Sequence, residues 1–117
     1  MICDDDSLIV NVVSLSLELA GYAVSKTSDG AEALALIKPN PRFFELIIVD
    51  HVMPNLDGLG LVKALRRLKY PGKIIVLSGH LDGRIQTAYK KLKVNEIMAK
   101  PYAMKALLDS VAGLLAG

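Results

Sequence analysis

Short apolar runs alternate with longer amphipathic stretches along the whole chain. Met1-Ile2-Cys3 opens and three aspartates follow. From Ser7 the pattern turns helical, with Leu8, Val12, Leu15 and Leu19 recurring at the three-and-four spacing of one helical face. Gly21 stops that helix. Tyr22 to Thr27 predicts a short strand centred on Ala23 and Val24. Asp29-Gly30 marks a turn, and Ala31 to Lys38 predicts a second helix. Past the Pro39-Asn40-Pro41 loop, Phe44 to Val49 is a nearly continuous apolar strand ending at Asp50. Pro54 to Gly58 is a turn, and Leu59 to Leu68 a third helix. Lys73 to Leu77 is another apolar strand, ending at Ser78-Gly79. A weaker helix over Asp82 to Leu92, a short strand at Ile97-Met98-Ala99 and a closing helix from Ala103 to Leu115 complete the chain.

Five strand–helix units with continuous apolar strands imply a parallel sheet covered on both faces. Right-handed crossovers leave few arrangements. At 117 residues the expectation is an α/β fold over residues 1–117, a doubly wound five-stranded parallel sheet of flavodoxin-like order 2-1-3-4-5, and not an eight-stranded barrel.

Composition narrows the class. Hydrophobic residues at 52% and charged residues at 22% fit a globular chain and exclude a disordered one. The single cysteine, Cys3, excludes an internal disulfide framework and reads as a small buried hydrophobe. No apolar run is long enough to span a membrane. The start is acidic where a signal peptide would be basic, so the cytoplasm is the expected setting. A net charge of +2 is too small to argue for direct nucleic-acid binding.

In open α/β sheets the ligand site lies beyond the carboxyl ends of the strands. There the sequence places Asp4, Asp5 and Asp6 after the first strand, Asp50 after the third, Ser78 after the fourth and Lys100 after the fifth. In the order 2-1-3-4-5, the first and third strands are neighbours and their aspartates converge. Clustered carboxylates repel one another unless a cation joins them, and all-oxygen ligands suit Mg²⁺. A lysine and a small hydroxyl beside them can receive phosphoryl oxygens. The set suits a carboxylate that becomes an acyl phosphate. Asp6 or Ser7 reads as a helix cap, and Asp57-Gly58 as a turn and helix start.

These residues resemble the receiver domain of two-component response regulators. The resemblance covers essentially the whole chain and rests on Asp4-Asp5, the segment Asp50 to Gly58, Ser78-Gly79 and Lys100-Pro101, each after its own strand. It implies that Asp50 accepts a phosphoryl group and that Ser78 and Lys100 sense it. It further implies that Asp4 and Asp5, or else Asp5 and Asp6, bind Mg²⁺ with Asp50 and the Val52 carbonyl. The implied partner is a histidine kinase or histidine phosphotransfer protein. A downstream protein or a second copy would meet the face of the fourth helix, fifth strand and fifth helix, which Lys90, Lys91 and Lys93 flank.

The resemblance also implies a cis Lys100-Pro101 bond. His80 would border the phosphoryl group. Where the family usually has an inward-turning aromatic residue three before the lysine, this chain has Ile97. Strand alternation points His51 away from Asp50, against a catalytic role. An aspartate-nucleophile phosphatase is the competing enzyme class. It usually carries a second Asp two residues after the nucleophile, and that place is Val52. A nucleotide or flavin carrier needs a phosphate-cradling loop where the three aspartates stand. An unphosphorylated adaptor on the same fold is the other alternative, and it would have lost an acidic residue or the lysine, which this chain keeps. The expectation is therefore a switch and not an enzyme.

Overall fold

Strands and helices alternate strictly: β1 (Ile2–Cys3), α1 (Ser7–Leu19), β2 (Lys26–Thr27), α2 (Gly30–Ile37), β3 (Leu46–Asp50), α3 (Gly58–Arg67), β4 (Lys73–Ser78), α4 (Gly83–Lys91), β5 (Glu96–Ala99) and α5 (Met104–Leu115). A computed structural model describes residues 1–79 and 82–116. All strand pairs are parallel, in the order β2-β1-β3-β4-β5 that the alternation implied. Among the described residues no helix is long and apolar enough to cross a membrane.

The apolar strands are continuous because both faces are covered. Alternation sends Ile47 and Val49 of β3, with Ile74 and Val76 of β4, into one core against Ala33, Ile37, Leu61, Leu65 and Tyr89 of α2, α3 and α4. Leu46, Ile48, Ile75 and Leu77 face the other way, onto Val10, Val13 and Leu17 of α1 and Leu107 and Val111 of α5. Leu107→Ala would remove a wholly buried side chain, a change that costs about 2–5 kcal/mol in well-packed cores.

Two sequence expectations need correction. The helix over residues 7–19 is present, but its recurring Leu8, Val12, Leu15 and Leu19 are the exposed side, at 69%, 46%, 59% and 81%. The buried residues of α1 are Val10, Val13, Ser14 and Leu17. The second strand is only Lys26–Thr27, paired with Ile2 and Cys3, and does not centre on Ala23 and Val24. Those two residues belong to the irregular approach, from which Ser25 accepts one hydrogen bond from the Ile2 N–H.

Among the described residues, aspartates start four of the five helices. Asp6 accepts from the Leu8 and Ile9 N–H groups, Asp29 from Glu32, Asp57 from Gly60 and Asp82 from Ile85. Each such cap is worth about 1 kcal/mol. The α5 helix begins after Ala103 without a side-chain cap. At the other end of α1, Gly21 takes a φ of 100°, the left-handed turn that ends the helix.

Candidate functional site

Register brings the first two site residues together. Cys3 pairs with Val49 across β1 and β3, so Asp4 stands level with Asp50 at the carboxyl ends of the strands. Both belong to the strand face that packs on α1 and α5, by the parity of Ile2 and Ile48. Both are buried, at 2% and 6% exposure. Asp5 is exposed, yet one oxygen from each of Asp4, Asp5 and Asp50 lies within 4.8 Å of the others. Asp6 is spent on capping α1 and is outside this cluster.

Lys100 closes the site from β5. Its ammonium donates to Asp50 Oδ1 at 2.7 Å and stands 3.7 Å from Asp4 Oδ2. Its backbone N–H donates to the Ser78 carbonyl at 2.8 Å, tying the end of β4 to the turn after β5. The Lys100–Pro101 bond is cis, as expected. Burial opposes the charge on Lys100. The hydrogen bond to Asp50 and the charges of Asp50 and Asp4 outweigh it, and the lysine pKa is raised. Ser78 ends β4, buried, level with Ala99 of β5. Val52 lies two residues beyond Asp50 in the loop to α3, its side chain turned to solvent. His80 lies outside the described residues.

Asp4 carries the electrostatic strain of the cluster. Burial raises its pKa first, and the charges of Asp50 and Asp5 add to the rise. The Asp6 N–H, which donates to Asp4 Oδ1 at 3.0 Å, and Lys100 oppose it without reversing it. Asp4 Oδ2 is buried and has no hydrogen-bond partner among the described residues. An orphaned carboxylate oxygen among three converging carboxylates fits a hard divalent cation such as Mg²⁺. A carboxyl whose folded pKa lies above its unfolded value binds its proton more tightly when folded. Its metal-free contribution to stability therefore falls as pH rises from the unfolded carboxylate range through the folded pKa. Asp4→Asn removes that penalty, and its amide can donate to Asp50. The metal-free variant is expected to gain about 0.5–1.5 kcal/mol at neutral pH while losing most of any stabilisation by Mg²⁺, read from melting curves with and without the ion.

One polar pair at this end escaped the sequence reading. His51, on the opposite strand parity from Asp50, turns to α4, where its Nδ1 shares a 2.5 Å hydrogen bond with the Tyr89 hydroxyl. Strand alternation turns His51 away from Asp50, as expected, and Tyr89 is the partner it meets there. The only hint was an aromatic residue in an otherwise polar helix, Gly-Arg-Ile-Gln-Thr-Ala-Tyr-Lys-Lys.

A family model described as the response regulator receiver domain matches residues 1–112. The chain belongs to this family. The alkaline phosphatase synthesis transcriptional regulatory protein PhoP of Bacillus subtilis is 30% identical over 98% of the chain and 47% of its own length. The DNA-binding dual master transcriptional regulator RpaA of Synechocystis is 33% identical over 98% of the chain and 48% of its own length. The receiver domain thus spans about half the length of these curated relatives. Among solved structures, the Vibrio cholerae chemotaxis protein CheY4 superposes with a TM-score of 0.87 at 30% identity, over 97% of this receiver domain and 94% of that chain. A Burkholderia pseudomallei response regulator, solved with a phosphorylated aspartic acid, a calcium ion and citrate, gives 0.81 at 30% identity over 97% and 64%.

Proposed function

We propose that residues 1–117 form one phosphorylation-controlled switch of a two-component phosphorelay, with Asp50 as phosphoacceptor. The observation that carries this reading is the Asp50 carboxylate itself. It is buried, held by Lys100 at 2.7 Å and crowded by Asp4 and Asp5. A carboxylate oxygen of Asp50 attacks the phosphorus of a phosphohistidine on a histidine kinase or phosphotransfer protein. The phosphorus–nitrogen bond breaks, its electron pair returns to the imidazole, and an acyl phosphate forms. Lys100 and the Ser78 hydroxyl meet the phosphoryl oxygens with charge and a hydrogen bond. Asp4, Asp5, Asp50 and the Val52 carbonyl would hold Mg²⁺, which when bound neutralises the negative charge of the transferring group. The Burkholderia pseudomallei regulator, solved with a phosphorylated aspartic acid and a calcium ion, supports this reading.

No proton donor stands two residues after Asp50, where Val52 turns outward, which supports a switch over a phosphatase that turns over. The cytoplasm is the setting this partner requires. The downstream contact would fall on the face of α4, β5 and α5, beside exposed Lys90, Lys91 and Lys93.

The exposed Leu8, Val12, Leu15 and Leu19 run down α1 from the end that carries Asp5 and Asp6. An apolar stripe beside the phosphoacceptor suits an apolar helical surface presenting the phosphohistidine. Leu15→Glu is expected to slow phosphotransfer from a protein donor by about 10-fold or more, the loss of a well-packed interface anchor. Labelling by a small phosphodonor should stay unchanged, since Leu15 is 59% exposed and outside the site. The test of the whole reading is incubation with a small phosphodonor and Mg²⁺, with intact mass and hydroxylamine lability reporting one acyl phosphate.

A further inference from the structure

Tyr89 is wholly buried although Lys90 beside it is exposed. Its ring sits in the core formed by Val49, Leu61, Val76 and their neighbours. It meets the His51 ring edge-on, with centroids 5.4 Å apart and planes at 79°. Packing alone would be served by phenylalanine, because a hydroxyl buried without a partner costs stability. Here the hydroxyl has a partner, His51 Nδ1, at 2.5 Å. Burial raises the Tyr89 pKa well above its usual value, so the hydroxyl keeps its proton.

The same hydroxyl crowds the loop that follows the phosphoacceptor. A Cβ on Gly58 would lie 2.8 Å from it, 2.7 Å from the Asp50 carbonyl oxygen and 2.9 Å from His51 Cα. The tip of Tyr89 therefore stands beside Gly58, where the backbone of residues 50 and 51 also closes in. His51 is held there by its main chain as well: its N–H donates to Leu77 O and its carbonyl accepts from the Gly58 N–H, both at 2.9 Å. The side-chain bond is the third restraint and the only one of the three that reaches α4. His51 stands between Asp50 and Val52, so its backbone angles aim both the carboxylate and the following carbonyl.

We propose that Tyr89 is a positioning residue of the Asp50 site, whose hydrogen bond to His51 fixes the Asp50–Val52 segment to α4. The proposal rests on the phosphoacceptor reading and adds to it a path to α4. At position 97, where an inward-turning aromatic would be usual, the chain has Ile97, packed on the same core as Tyr89. Tyr89 brings an aromatic hydroxyl to that core from the neighbouring helix. Coupling is reciprocal: if the bond helps the site bind its cation, binding at the site biases α4 by the same factor.

The test is a Mg²⁺ titration of the full chain, followed by amide NMR, in wild type and four variants. Tyr89→Phe and His51→Leu should each weaken Mg²⁺ binding about 3- to 10-fold, the worth of one buried hydrogen bond. The double variant should be no weaker than the worse single one, because both remove the same bond. His51→Asn, whose amide can occupy the place of Nδ1, should stay within about twofold of wild type. Amides from Thr87 to Lys91 should shift with Mg²⁺ in wild type and His51→Asn, and stay still in Tyr89→Phe and His51→Leu. Unchanged affinity in Tyr89→Phe and His51→Leu, or losses that add in the double variant, would overturn the proposal. A wild-type chain that binds no Mg²⁺ would overturn the site reading itself.

Discussion

Asp50→Asn is expected to abolish acyl-phosphate formation, from protein and small donors alike. The amide is nearly isosteric, so the fold has little to lose: its oxygen can still accept from Lys100, which now reaches Asp50 Oδ1 at 2.7 Å. What disappears is the anionic oxygen, since a neutral amide is a far weaker nucleophile toward phosphorus. The variant also removes one of three converging carboxylates, and with it part of the attraction for a divalent cation. In wild type, Mg²⁺ at ten times its Kd should add about 1.4 kcal/mol of stability. Asp50→Asn should show a clear fraction of that, and no phosphoryl adduct by intact mass. An adduct that persists at wild-type rate would place the acceptor on another residue.

The second large effect is expected at Gly58. Its Cβ position is occupied from three sides, by Asp50 O, the Tyr89 hydroxyl and His51 Cα, all under 3.0 Å. Two of the three are backbone and cannot rotate aside. Gly58→Ala must therefore push the start of α3 away from the end of β3. Overpacking of this kind costs about 1–3 kcal/mol. In a domain of this size each kcal/mol lowers the melting temperature by roughly 4 °C. The displaced strand end is the one that carries Asp50, so phosphorylation by a small donor should slow in the same variant. A variant with unchanged melting and unchanged labelling would show that the loop yields more easily than its contacts imply.

The sheet order and the converging aspartates were legible in the sequence because both follow from strand ends and short crossovers. Asp4, Asp50, Ser78 and Lys100 each follow an apolar run, and parallel topology sends all such ends to one edge. Burial on α1 was not legible. The helix has two apolar sets at helical spacing, Leu8-Val12-Leu15-Leu19 and Val10-Val13-Leu17, and periodicity cannot say which one faces the sheet. Tertiary packing chose the second. The short β2 was misread for a related reason: Ala23 and Val24 look like a strand centre, yet only Lys26 and Thr27 lie where β1 can pair with them. The Tyr89–His51 bond joins residues 38 apart and leaves no local signature.

Cys3 sits at the hinge of these observations. It is the chain's one thiol, wholly buried on β1 directly before Asp4, with its sulfur 3.4 Å from that of Met53. Burial pushes its pKa up to about 11, so with β1 in place the group is a thiol and almost no thiolate. A thiol reagent can reach it only when β1 opens from between β2 and β3. The molecule thus carries a native clock for the opening of β1, one residue from the carboxylate whose repulsion most favours that opening.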